Sequence, residues 1–142
     1  MTQPVLLQFT RRTATLIHGA MVTGVVLIIV VFVFLRQAIE QEPYRDLVLV
    51  FRIVALAELV FAAILIRVVR HRMAPFEPAG DEAEWWRAHL AQAVIIWALA
   101  EGAALLGAIL WFLTADVALL VGVAGVALAL LVLNHPRALL GV

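Results

Sequence analysis

The sequence predicts an all-α, polytopic membrane protein: four transmembrane helices in an up-down bundle, forming one domain over residues 1–142. Three observations carry this reading. The 142 residues are 65% hydrophobic and only 14% charged, against about 45 to 50% apolar and about 25% charged in an ordinary soluble domain. Mean hydropathy is +1.09. The apolar residues also fall into four long stretches, at about 14–35, 47–66, 90–113 and 117–133, each near the length of about 20 residues that crosses roughly 30 Å of hydrocarbon. A water-soluble globule is excluded, because those stretches leave no positions for a polar surface.

The first span follows Arg11 and Arg12 and is rich in Val and Ile between Val25 and Val33. Hydrocarbon offers no partners to an open backbone, so the segment must close its own hydrogen bonds as a helix despite that composition. At about 22 residues it exceeds the apolar core of a secretory signal, and Arg36-Gln37 follows it in place of a cleavage site, so it reads as a retained span. Loop one, Gln37 to Asp46, is acidic and turns at Pro43-Tyr44. The second span follows. Loop two, at about 70–88, is expected on the cytoplasmic side. Pro75 and Pro78 disfavour helix there, and Asp81-Glu82-Ala83-Glu84 resembles a capping box that starts the third helix near Glu82. Trp85 and Trp86 at the beginning of that helix, and Trp111 at its end, are expected as interface anchors, since amphipathic rings settle at headgroup level. Thr114-Ala115-Asp116 then makes a tight hairpin, with Asp116 as the N-cap of the fourth span.

Every basic residue is Arg. With both termini on one side, that side holds Arg11, Arg12, Arg67, Arg70, Arg72, Arg87 and Arg137, and the other only Arg36, Arg45 and Arg52. The positive-inside rule therefore places the N- and C-termini in the cytoplasm of a bacterial inner membrane. The arginines are too dispersed for nucleic acid and suit anionic headgroups; the lipid bilayer is the first expected partner. Small residues recur four apart: Thr15, Gly19 and Thr23; Ala100, Ala104 and Ala108, with Ala103 and Gly107; Ala118 and Gly122. Such faces let helix backbones approach closely in lipid, within this bundle or against other membrane subunits or a second copy.

Glu58 and Glu101 lie near the middle of the second and third spans. A charged carboxylate at that depth costs on the order of 2.5 to 3.5 kcal/mol on insertion scales, so neither should face lipid. The two could meet inside the bundle. The nearest cation, Arg52, is six residues from Glu58, or about 240° around the helix, so a neutral acid or a shared proton is expected. The pattern reads either as buried polar glue between helices or as an ion-binding site.

His18 lies inside the apolar slab; His71, His89 and His135 sit near helix ends. His18 is expected as a polar contact, and His18 with His89 is the pair to test as haem ligands, haem being the one cofactor considered. Cysteine is absent, and so is serine. No phosphate loop, Gly-x-Gly-x-x-Gly, His-Glu-x-x-His or Gly-x-Ser-x-Gly motif is present, which leaves soluble enzymology little to use, and no metal ligand set is assigned.

The run Ile95-Ile96-Trp97-Ala98-Leu99-Ala100-Glu101-Gly102-Ala103-Ala104-Leu105-Leu106-Gly107 resembles the carboxylate-bearing helix of rotary ATP synthase subunit c. The resemblance implies an ion-carrying role for Glu101. Its preceding span differs, with Ala55-Leu56-Ala57-Glu58 in place of that family's glycines at spacing two. The whole layout, from Leu16-Ile17-His18-Gly19-Ala20 to His135-Pro136-Arg137, resembles a loosely defined group of small, uncharacterised four-span bacterial membrane proteins, which implies the architecture and no activity. The expected function is a non-catalytic accessory or structural subunit of a larger membrane complex. The alternatives are a proton- or cation-coupled carrier using Glu58 and Glu101, and a haem-carrying membrane anchor.

Overall fold

The computed structural model describes residues 11–39 and 42–141. Among these, all regular structure is helical: α1 (Arg11–Ala38), α2 (Val48–Arg72), α3 (Glu82–Thr114), α4 (Gly125–Leu133) and α5 (Pro136–Leu140). A 3-10 turn, Arg45–Leu47, leads into α2, and a π-helical segment, Leu119–Ala124, runs directly into α4. Three helices are long and apolar enough to cross a membrane: Arg11–Ala38, Arg45–Arg72 and Glu82–Thr114. The fourth apolar helix, Leu119–Leu133, is shorter, about 22 Å at 1.5 Å per residue.

The boundaries follow from local chemistry. Asp81 caps α3, its carboxylate accepting from the Ala83 amide at 2.8 Å, with Glu82 and Glu84 in the positive first turn. At the other end, α3 stops at Ala115 in the left-handed region, φ 57°, a conformation that costs a non-glycine residue about 1 to 2 kcal/mol. Asp116 then caps the fourth helix through the Ala118 amide. The irregular part of loop two is confined to 73–81, because α2 continues to Arg72 and α3 begins at Glu82. The fourth helix ends at Asn134, and Pro136 starts α5 with His135 Nδ1 accepting from the Ala138 amide.

α3 is the centre of the fold. Half of its apolar stretch is buried, against 17% for α2 and 6% for α1. α1, α2, the π segment and α4 all pack on α3, whereas α1 and α2 hardly meet. The fourth helix lies between them, α4 touching α1 and the π segment touching α2. The opposite side of α3 stays open, exposing Ala91, Ile95, Ala98, Gly102 and Ile109, residues that share one face at spacing three and four.

The closed side is built from the small residues expected there: Ala100, Ala103, Ala104, Gly107 and Ala108 are all buried. Gly107 marks the tightest crossing. A Cβ at that position would lie 2.8 Å from the Ala124 amide nitrogen and 3.1 Å from Val123 Cγ1, which only glycine accommodates. The other two expected small faces are not packing surfaces. Thr15, Gly19 and Thr23 are exposed, because α1 turns Ala14, His18 and Val25 inward. Ala118 and Gly122 are also exposed. In the fourth helix the wider π turns keep Leu119 and Val123 in line with Ala127 and Leu131, and these four fill the inward face.

Candidate functional site

Two polar places occur within the apolar bundle. The first is the break between α4 and α5, where the last carbonyls of a helix have no intrahelical amide to accept from. Here other helices supply the donors. His18 Nε2 donates to the Leu131 carbonyl at 2.9 Å from α1, and Trp97 Nε1 donates to the Asn134 carbonyl at 2.6 Å from α3. From α2, Arg70 donates to Asn134 Oδ1 at 3.2 Å and to the Ala138 carbonyl at 3.0 Å. Asn134 Nδ2 returns to the Leu130 carbonyl at 2.8 Å. His18 also packs edge-on against Trp97, with ring centroids 5.2 Å apart. The break thus ties four helices together, and its polar groups are largely spent on one another.

The second place is the pair Glu58 and Glu101, each half-buried. Glu101 stands at the edge of α3 beside α1, where a Cβ on Gly24 would lie 4.0 Å from its Oε1. Glu58 stands on the flank of α2. Arg52 and Arg70, eighteen residues apart and so on one line of that helix, reach the fourth helix and its flanking turns through Asp116, Asn134 and Ala138. Glu58 lies about 120° round from that line, beyond the buried row Ala55, Leu59, Ala62 and Ile66. It therefore faces away from the fourth helix, toward the open side of α3. Among the described residues, no hydrogen bond or ion pair reaches either carboxylate. The arrangement offers two acids bordering one uncovered face.

Outside the bundle, loop two folds back over the start of α3. Trp85 Nε1 donates to the Ala74 carbonyl at 2.9 Å, and the Ala74 amide donates to His89 Nε2 at 3.2 Å. His89 Nδ1 in turn donates to the Trp85 carbonyl at 2.9 Å. Phe76, Trp85, Trp86 and His89 stack in one aromatic cluster. Trp85 and Trp86 were expected to present their rings to the headgroup layer. They are covered by protein instead: loop two closes over Trp85 through Ala74 and Phe76, and Trp86, edge-on to Trp85, is completely buried. Trp111 remains partly exposed at the other end of α3. Sequence reasoning passed over Asn134 and Arg70; the signal available was the helix stop Asn134-His135-Pro136, which leaves carbonyls to be satisfied.

At the α3 end opposite loop two, Arg52 grips Asp116 with both arms, Nε to Oδ2 at 2.6 Å and Nη2 to Oδ1 at 2.9 Å. The guanidinium hydrogen bonds hold the Asp116 carboxyl below the usual carboxylate range, helped by the Ala118 amide, while partial burial pulls the other way. Arg36 donates to the Phe112 carbonyl at 2.8 Å, and the Tyr44 amide to the Leu113 carbonyl at 3.1 Å. Among the described residues no three His, Asp or Glu side chains gather as a metal site requires. Comparison of the chain with protein-family models, curated proteins and solved structures finds no match.

Proposed function

We propose that the protein is a four-span subunit of a bacterial inner-membrane assembly, both termini cytoplasmic, that docks a partner through the open face of α3. The observation that carries this is the contrast in polar satisfaction: the groups at the helix break are largely hydrogen-bonded, while Glu58 and Glu101, bordering an uncovered face, make no hydrogen bond among the described residues. A carboxylate at that depth needs a donor, a proton or a partner, and a membrane helix seated between α1 and α2 supplies one. Lipid provides no hydrophobic drive for such contact, so close packing over Ala98 and Gly102 together with hydrogen bonds to the glutamates would hold it. The fourth helix reaches its far side only as Val117–Leu133, shortened by the helix break.

Native electrophoresis of membranes solubilised in mild detergent tests this. The chain should migrate in an assembly well above its 15.5 kDa, and Glu58→Gln with Glu101→Gln should release it; migration as a free protomer in every mild detergent would overturn the reading. A carrier is the second reading, favoured by the same half-buried carboxylates and by the resemblance of the Glu101 segment to an ion-carrying helix. Proteoliposome flux abolished by Glu101→Gln would support it. The haem reading draws no such support: His89 has both nitrogens, and His18 its Nε2, in hydrogen bonds that hold loop two and the helix break.

A further inference from the structure

The outer face of α2 turns away from the rest of the molecule, and its side chains are not merely apolar. Ile53, Leu56, Ala57, Val60, Phe61 and Ile64 line a shallow furrow, with Ala57 as its low point. Directly beyond its end, Arg67, Arg70 and His71 line a second hollow. Ile53, Ala57, Val60, Ile64, Arg67 and His71 follow one another at spacing three and four, so furrow and hollow lie on a single face of the helix. We infer that this face binds one anionic phospholipid, an acyl chain lying along the furrow and the phosphate seated on Arg67 and His71.

Length and charge support that occupant. From Ala57, beside Glu58 at mid-span, the helix rises about 10 Å to Ile64 and about 15 Å to Arg67, the thickness of one leaflet, about half of the 30 Å hydrocarbon core. The cations begin one turn further on, where the phosphates of that leaflet lie. Arg67 and His71 make no hydrogen bond among the described residues, while the Arg70 guanidinium is held by Asn134 and Ala138 and so gives the hollow a fixed wall. No carboxylate lines either part; Glu58 stands on another flank. Positive charge at headgroup level contributes about fivefold in affinity per residue for an anionic surface. The inference is independent of what docks on α3 and needs only that α2 crosses the membrane.

Native mass spectrometry of the full chain, released from nanodiscs of equal phosphatidylglycerol and phosphatidylcholine, tests it. One phosphatidylglycerol should be retained per chain with about fivefold or greater preference. Arg67→Gln with His71→Gln should abolish the preference, and Ala57→Phe, which fills the furrow and leaves the charge alone, should reduce retention of the lipid. Arg45→Gln, at the other end of the molecule, should change nothing. Equal retention of both lipids, or a preference that survives Arg67→Gln with His71→Gln, would overturn the inference. So would glycerol phosphate competing as well as the intact lipid, since the occupant would then be a headgroup without a chain.

Discussion

α3 carries two faces of nearly the same composition and opposite fate. On one, Ala100, Ala103, Ala104, Gly107 and Ala108 lie buried against the fourth helix and its neighbours; on the other, Ala91, Ala98 and Gly102 lie uncovered between α1 and α2. Small residues therefore do not say where a membrane helix packs. They say where it is able to, and the larger side chains of the neighbours decide which face is used. The polar groups divide the same way. On the closed side the indole of Trp97 and the imidazole of His18 meet orphan carbonyls; on the open side Glu58 and Glu101, half-buried, make no hydrogen bond among the described residues. A group that is satisfied within the fold is spent on the fold, and an unsatisfied one at an uncovered face is open to something outside it.

The comparison breaks most visibly at the two glycines. Gly107→Leu should abolish folding in detergent, because even the first carbon falls 2.8 Å from the Ala124 amide nitrogen, a backbone atom that cannot swing aside. The milder Gly107→Ala should cost about 1 to 3 kcal/mol, read as a lower unfolding midpoint in a thermal or dodecyl-sulfate titration. If Gly107→Ala left the midpoint unchanged, the closed face would not be closed.

The next largest effect belongs to the helix break. Trp97→Phe keeps the aromatic bulk but leaves the Asn134 carbonyl without its indole donor, at an expected cost of about 1 to 3 kcal/mol. His18→Phe does the same to the Leu131 carbonyl. Either substitution should also speed amide exchange around Asn134 and His135, a local readout that general destabilisation would not confine there. Glu58→Gln and Glu101→Gln, at carboxyls that make no hydrogen bond among the described residues, should leave the same measurements where they were.

Much of this was legible in residues alone, and the reasons for the rest are physical. Helix starts could be read because Asp81 and Asp116 act locally, each through the amide two positions on. Of the four long apolar runs, three form helices long and apolar enough to cross a membrane, and the fourth gives the shorter helix Leu119–Leu133. The small faces of α1 and of the fourth helix could not be assigned from their spacing, since Thr15-Gly19-Thr23 and Ala103-Gly107 look alike until a neighbour is placed. Nor could the π segment, whose wider turns decide that Val123 points inward and Gly122 outward. The burial of Trp85 and Trp86 depends on loop two folding back onto its own helix, a contact between Ala74 and His89 that composition does not encode. His18 was foreseen as a polar contact, but its partner, a carbonyl freed by a helix break 113 residues later, is a property of the assembled bundle.

A smaller effect of opposite sign sharpens the contrast. Gly102 sits on the open face with nothing within 4 Å of where a Cβ would be, in the middle of a helix where glycine is about 0.8 to 1 kcal/mol worse than alanine in water. Gly102→Ala should therefore stabilise the isolated protein by up to about 1 kcal/mol, while Gly107→Ala, five residues along, destabilises it. The same substitution with two signs on one helix is a direct measure of which face is covered. In the native membrane the bulkier Gly102→Leu should still fold yet lose the proposed assembly on native gels, an outcome that would put the partner on this face.

The least of the expected effects tests the same division on α2, where Arg52 is fastened to the hairpin after α3 and Glu58 makes no hydrogen bond among the described residues. The Arg52 hydrogen bonds lower the Asp116 carboxyl in the folded protein, so folding favours its ionised form. That contribution is fully present above the ordinary aspartate value of about 3.9 and is lost as pH falls through the lower folded value. Wild-type protein should thus lose stability on acidification below about pH 4, and Asp116→Asn should start lower and show a flatter acid limb. Water screens the exposed Arg52 side of the pair, whose side chain is 53% accessible, so the difference should be the smallest in this series. An acid limb identical in Asp116→Asn and wild type would mean that the bidentate geometry contributes no net stability, and that α2 is held to the hairpin by packing alone.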